Sequence, residues 1–313
     1  MIENANASKN PATGDFVEVK KFIGVASVNI IAVNPTNDIL RKYGWNIPEG
    51  AEEQNYITEK QDANGKTVKA ARVRLLAQIQ DIEEKPIIAL DFWCRPEGRV
   101  NSDGTKCKII DVYGRTAWAT KEEYTNKAIP TYKDGNPANI STPYRLCHSG
   151  EEELITFLFK YLNVTPLQVF DKARNQWIDS KMPGKLTIDD WKSICDGNVQ
   201  EIKKYLAMQP DNRVKVVLGV RTTDENKTYQ AFLNTGYIGN GARVDLSTGE
   251  YSSARRLIDK YAEGHSGSNY SFMATPVHEW KETATDIKEA ASAGTMFDDN
   301  GNFVADDDDL PFA

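Results

Sequence analysis

The sequence predicts an α+β fold dominated by antiparallel strands, with a helical insertion and a disordered acidic end. Three observations carry this. Residues 16–118 hold at least four strand-patterned runs joined by short connections. Apolar spacing then takes a helical period over about 150–208 and returns to strand patterning from Arg213. Between Glu289 and Ala313 there are seven acidic residues and no Lys or Arg. Consecutive strands with short connections favour an antiparallel meander or small barrel over a parallel sheet.

The elements follow in order. Residues 1–15 are polar and rich in Asn, Ala and Ser, and are expected to be a flexible lead; residues 16–282 are the core and 283–313 the tail. Phe22 to Val33 is rich in β-branched residues and stops at Asn34-Pro35, so it reads as a strand ending in a turn. Asn37 to Gly44 reads as a short helix, and the polar run Glu49 to Lys66, with Asn64-Gly65, as a loop or hairpin entry. Val68 to Ile82 alternates, placing Arg72, Arg74, Gln78 and Gln80 on one face with Ala70 and Leu76, and Val73, Leu75, Ala77 and Ile79 on the other. Ile87 to Cys94 is a nearly all-apolar strand. Asp103-Gly104 signals a hairpin, and Lys106 to Trp118 is the next strand, bent at Gly114. Lys127 to Pro143 is a loop long enough to suggest function.

Ser149 reads as an N-cap, with Glu152 three residues on completing a capping box. Leu154, Ile155, Phe157, Leu158, Tyr161 and Leu162 recur at helical spacing, which predicts a helix over 150–162. Thr165-Pro166 starts another helical stretch, and Thr187 to Trp191 and Asn198 to Met208 complete the insert. Arg213 to Thr222 and Thr228 to Leu233, separated by Asp224 to Lys227, form a β-hairpin. Ala254 to Ala262 is a helix, and the Ala-, Gly-, Ser- and Asp-rich end is expected to be disordered.

Composition narrows the function classes. No apolar run approaches the roughly 20 residues that span a bilayer, and Met1 to Gly14 lacks the apolar stretch of a secretory signal. A cytoplasmic protein is expected. The net charge is −7, and the seven tail acids account for all of it: without them, 38 acidic residues face 38 basic ones. A basic binding face is therefore compatible with an acidic protein. Three His (His148, His265, His278) stand in no metal or triad motif, and there is no nucleophile elbow or phosphate loop. Asp189-Asp190 suits a helix start better than catalysis. No enzyme is expected, and no cofactor. Cys94, Cys107, Cys147 and His148 could supply zinc ligands, but their spacing differs from the short paired spacings of structural zinc sites. Buried thiols, with Cys195, are the expectation.

One stretch does carry a chemistry. Single-stranded nucleic acid is held by a basic groove with aromatic platforms. From Trp93 to Arg145 the two residue types interleave. Arg72, Arg74, Lys106, Lys108 and Arg115 are candidates for phosphates, and Trp93, Tyr113 and Trp118 for base stacking. Lys106 and Lys108 share a strand face, as do Arg72 and Arg74. If those faces coincide they make a cationic trough.

The end of the chain is the most specific feature. Asp306, Asp307, Asp308 and Asp309 precede Leu310, Pro311 and Phe312, so four carboxylates sit before an apolar tip. Such a tip can fill a partner's pocket while the aspartates meet Lys or Arg around its rim. This tail resembles that of bacterial single-stranded-DNA-binding proteins, which typically ends Asp-Asp-Asp-Ile-Pro-Phe. Leu310 replaces the Ile, and Ala313 follows the Phe whose carboxylate takes part in recognition in that family. The size and the strand–helix–strand layout look more like the replicative single-stranded-DNA-binding proteins of bacteriophages. The resemblance implies an OB-like barrel with insertions. It also implies binding and protection of single-stranded DNA in replication, recombination or repair, and recruitment of replication or recombination proteins by the tail. The alternative from another class is a structural or virion cargo protein with an acidic solubilising tail.

Overall fold

The structure is a computed structural model that describes residues 7–9, 16–18, 20–61, 67–132, 134–163, 168–171, 176–179, 186–224, 227–234 and 236–281. The partner-docking candidates Asp306 to Phe312 lie outside the described residues. The fold is mixed α+β, rich in strands, with antiparallel sheets.

Ala7–Lys9 (β1) pairs antiparallel with Phe16–Glu18 (β2), so part of the expected flexible lead is a strand. There follow Lys21–Val33 (β3), Asn37–Lys42 (α1), Ile57–Gln61 (β4), Thr67–Ile79 (β5) and Ile87–Cys94 (β6). Next come Lys106–Asp111 (β7), Thr116–Thr120 (β8), Lys121–Asn126 (α2), Tyr144–Leu146 (β9) and Glu151–Tyr161 (α3). Gln168–Asp171 (β10) and Gln176–Asp179 (β11) form a hairpin, followed by Ile188–Cys195 (α4) and Gln200–Ala207 (α5). Val214–Thr222 (β12), Thr228–Phe232 (β13), Ser252–Gly264 (α6), Tyr270–Phe272 (β14) and His278–Trp280 (β15) close the order.

The chain divides into two compact units. The first comprises the described residues of 1–55, 74–90 and 213–281, and the second those of 56–73 and 91–212. The second unit starts near residue 56 and carries strands β7 to β11 alongside its helices.

In the first unit the long strand β3 is central. It pairs antiparallel with β12 through Gly24 to Val28 and with β5 through Val28 to Val33, with a register shift between Ile30 and Ala32. The apolar run that predicted this strand is buried: Val25, Ala26 and Val28 are at most 2% exposed. β12 continues into β13 and β14, and β15 adds to the start of β3. Val25, Val217, Leu233, Ile238, Ala254 and Ala274 form the core here, with Leu257, Ile258 and Tyr261 of α6 packed on it. The sheet path runs from β13 to β4 without returning on itself, so the expected barrel is not closed among the described residues.

In the second unit β8, β7 and β9 make a three-stranded sheet in that order. Ile109, Ala117, Ala119, Ala138, Ile140 and Tyr144 pack as a core on one side of it. Lys106 to Trp118 is two strands and not one bent strand. Gly114 takes a left-handed φ of 75° and its N–H donates to the Asp111 carbonyl at 3.1 Å, which makes a tight turn. Helix α3 matches its apolar spacing, but its N-cap is Gly150 and not Ser149, and no side chain caps it. The cause is steric: a Cβ on Gly150 would lie 1.9 Å from the Trp93 carbonyl oxygen, and only glycine adopts its φ of 84° cheaply. Capping boxes lie instead at α2, where Thr120 and Glu123 bond reciprocally, and at α4, where Thr187 and Asp190 do. The expected start at Thr165-Pro166 lies outside the described residues, and strand β10 follows it.

Candidate nucleic-acid interface

Alternation along β5 sorts its side chains cleanly. Val73, Leu75, Ala77 and Ile79 are fully buried, while Arg72 and Arg74 are half-buried. In β6 the same alternation buries Ile88, Leu90, Phe92 and Cys94 and leaves Trp93 half-exposed. Arg72 therefore meets aromatic rings on two sides. Its guanidinium carbon is 5.4 Å from the Tyr56 ring centre and 5.8 Å from that of Trp93. Its N–H donates to the Tyr56 carbonyl at 2.7 Å, which holds Tyr56 beside Arg72 in the row Tyr56–Arg72–Trp93. Rings held this way are flat, pre-positioned surfaces beside a cation, the two elements that a single strand needs. Arg74 falls in the first unit, where its N–H donates to Asn34 Oδ1 at 2.7 Å.

On the β8-β7-β9 sheet, Lys108 and Trp118 are directly opposite in register, as are Lys106 and Thr120. All four share the face away from the apolar core. The Lys108 ammonium lies 5.5 Å from the Trp118 ring centre. It also ion-pairs with Glu152, which accepts from Thr116 Oγ1 at 2.6 Å. Arg99 bridges to Glu153 at 3.0 Å and to Glu152 at 3.7 Å. Lys108 is thus a member of a buried charge network, which leaves less of its field for a phosphate than its strand position suggested. Lys106 is half-buried on the same face, with its N–H donating to Asn101 Oδ1 at 2.8 Å.

Arg115 is also engaged. Its Nε donates to Asp111 Oδ2 at 2.8 Å and its Nη1 to Asn139 Oδ1 at 3.1 Å, and Nη2 bonds Ser141. Asp111 in turn accepts the N–H groups of Tyr113 and Ser141 at 2.8 and 2.9 Å. Arg115 is therefore a strut between the turn and the loop at 139–141, with its guanidinium 4.9 Å from the Tyr113 ring. Each stacking candidate, Trp93, Tyr113 and Trp118, carries one cationic candidate on its ring. The cations of β5 and those of β7 stand on separate sheets.

The acidic start of α3 organises this region. Glu151 is fully buried; Arg145 Nη1 and His148 Nδ1 approach its Oε2, each at 2.9 Å, and the His148 N–H does so at 3.0 Å. Burial pushes the Glu151 carboxyl up, but the bonds from His148 and Arg145 outweigh it and hold it below its usual range. Glu152 is pushed up by burial and pulled lower overall by Lys108 and Thr116. Glu153 is raised by burial, in spite of Arg99. Sequence reasoning missed Tyr56, which sits in a polar run taken as loop, and the network itself. Its signal was present: three consecutive carboxylates exceed what capping requires.

The four cysteines are free, three of them buried, and burial raises the Cys94 and Cys147 thiols. Among the described residues no group of three or more His, Cys, Asp or Glu could hold a metal ion. No helix among them is long and apolar enough to cross a membrane. Comparison with family models, curated proteins and solved structures finds no match to this chain.

Proposed function

We propose that this protein binds and protects single-stranded DNA during replication, recombination or repair, and recruits partner proteins through Asp306 to Phe312. The observation that carries the reading is the row Tyr56–Arg72–Trp93, a cation held between two rings on a half-exposed face. Such a surface stacks bases without reading their sequence, because every base has a π-face. Lys106, Lys108 and Trp118 supply a second cation–aromatic face, and Arg115 with Tyr113 a third. The OB-like architecture belongs to this reading; the long bulged strand β3, shared between β12 and β5, supports it. No catalytic step or cofactor is part of it.

The alternative, a structural or virion cargo protein, is favoured by one observation: Lys108 and Arg115 are engaged by Glu152 and Asp111. A gel-shift assay with labelled single-stranded and duplex DNA separates the two, run with and without residues 289–313. DNA binding predicts preference for the single strand and tighter binding once the acidic tail is removed, since a polyanion competes with phosphates. A structural protein shifts neither form.

A further inference from the structure

We infer that the end of the first unit's sheet, where β12 meets β13 and β14, is a further contact surface for single-stranded DNA, centred on Arg221, Tyr229 and Tyr270. The inference rests on the proposed function and extends it to a surface that sequence patterning did not single out. Arg221 stands directly opposite Tyr229 on β13 and directly opposite Tyr270 on β14. Residues directly opposite in antiparallel pairs project from the same face. The three side chains therefore form one row across three strands, and all three are half-exposed. The Arg221 guanidinium lies 5.6 Å from the Tyr270 ring centre. This is the composition of the Tyr56–Arg72–Trp93 row: an arginine on a strand with an aromatic residue on either side of it.

The rings around Arg221 are fixed in place. In the next row of the same face Gly219 stands opposite Phe272, and a Cβ on Gly219 would meet Phe272 Cδ1 at 2.4 Å. Glycine there lets Phe272 lie flat, and Tyr270 stacks parallel to it at 6.0 Å and 8°. Tyr261 of α6 meets both edge-on, at 6.2 Å and 75° for Tyr270 and 5.4 Å and 83° for Phe272. Two rows further in, Val217 is fully buried. The face thus passes from closed core to a half-exposed aromatic row with a cation at its centre. The adjoining β12–β13 connection carries the exposed Asp224 and Lys227. A rigid ring with a neighbouring cation pays little entropy to stack a base and meets its phosphate as well.

The test uses the full-length wild-type chain and oligo-dT carrying 5-iododeoxyuridine, irradiated and mapped by peptide mass spectrometry. Adducts at Tyr229 or Tyr270 are expected. In parallel, Tyr229→Ala, on the edge strand β13, is expected to weaken oligo-dT binding about fivefold or more, whereas Tyr229→Phe, which keeps the ring, binds close to wild type. A wild type that binds oligo-dT yet gives no adduct at either tyrosine, together with Tyr229→Ala binding unchanged, overturns the Arg221 surface and leaves the proposed function standing. A wild type that does not bind oligo-dT removes both.

Discussion

Replacing Glu151 with Gln tests the buried network most sharply. The Glu151 side chain has no solvent exposure and that of Arg145 has 29%. The carboxylate receives two bonds from Arg145 and two from His148. Glutamine keeps the volume but removes the charge and turns one acceptor into a donor facing donors. Leaving one partner of a buried pair uncompensated costs about 3–5 kcal/mol. At about 2–4 °C per kcal/mol for a unit of this size, Tm should fall by roughly 6–20 °C. Circular dichroism melts at pH 7 measure it. The gap should also depend on pH. The folded Glu151 carboxyl sits below its unfolded value, so its contribution is complete above the unfolded pKa and is lost as pH falls through the folded one. The two melting curves should therefore stay apart at neutral pH and converge in acid. A variant melting within a degree or two of wild type at pH 7 would refute the view of Glu151 as the anchor of this network.

Further outcomes follow from neighbouring residues. Glu153 carries the opposite sign: its folded pKa is raised, so its contribution is greatest in acid and falls as pH rises through that value. Relative to Glu153→Gln, which gives up the Arg99 ion pair, wild type should therefore gain Tm as pH is lowered from 7, read in paired melts. Gly150→Ala should cost at least ~1–2 kcal/mol from its left-handed backbone alone, and more from the Trp93 carbonyl 1.9 Å from the new Cβ, read as a lower Tm. Trp93→Ala should raise Kd for oligo-dT about 5- to 150-fold, the value of one stacked base, while unchanged affinity in titration would remove Trp93 from the interface.

Local patterning reached some of this architecture and missed what long-range pairing creates. The alternation in β5, the apolar run of β6, the helical spacing of α3 and the hairpin of β12 with β13 are properties of neighbouring residues, and each is where its pattern placed it. Strand β4 is polar and forms because β5 offers it an edge. The three-residue strands β14 and β15 exist by pairing with β12 and β3, far away in sequence. Gly114 was legible as a break in a strand; that the break is a turn depends on Asp111 capturing Arg115 and Ser141. Ser149 lost its cap because the Trp93 carbonyl requires glycine at the next position. Of the candidate site, residue types and strand faces were legible. Which cations face a ring and which face a carboxylate was not, because Glu152 and Asp111 meet them through tertiary packing and a turn.

The central claim is that this protein holds single strands by their phosphates and bases. Fluorescence anisotropy of labelled oligo-dT and of duplex DNA, repeated across salt concentrations, tests it most directly. The account predicts tighter binding to oligo-dT than to duplex, with log K falling against log salt at a slope of about −0.7 per neutralised phosphate. Equal affinity for duplex, a salt-independent constant or no binding to oligo-dT would contradict it.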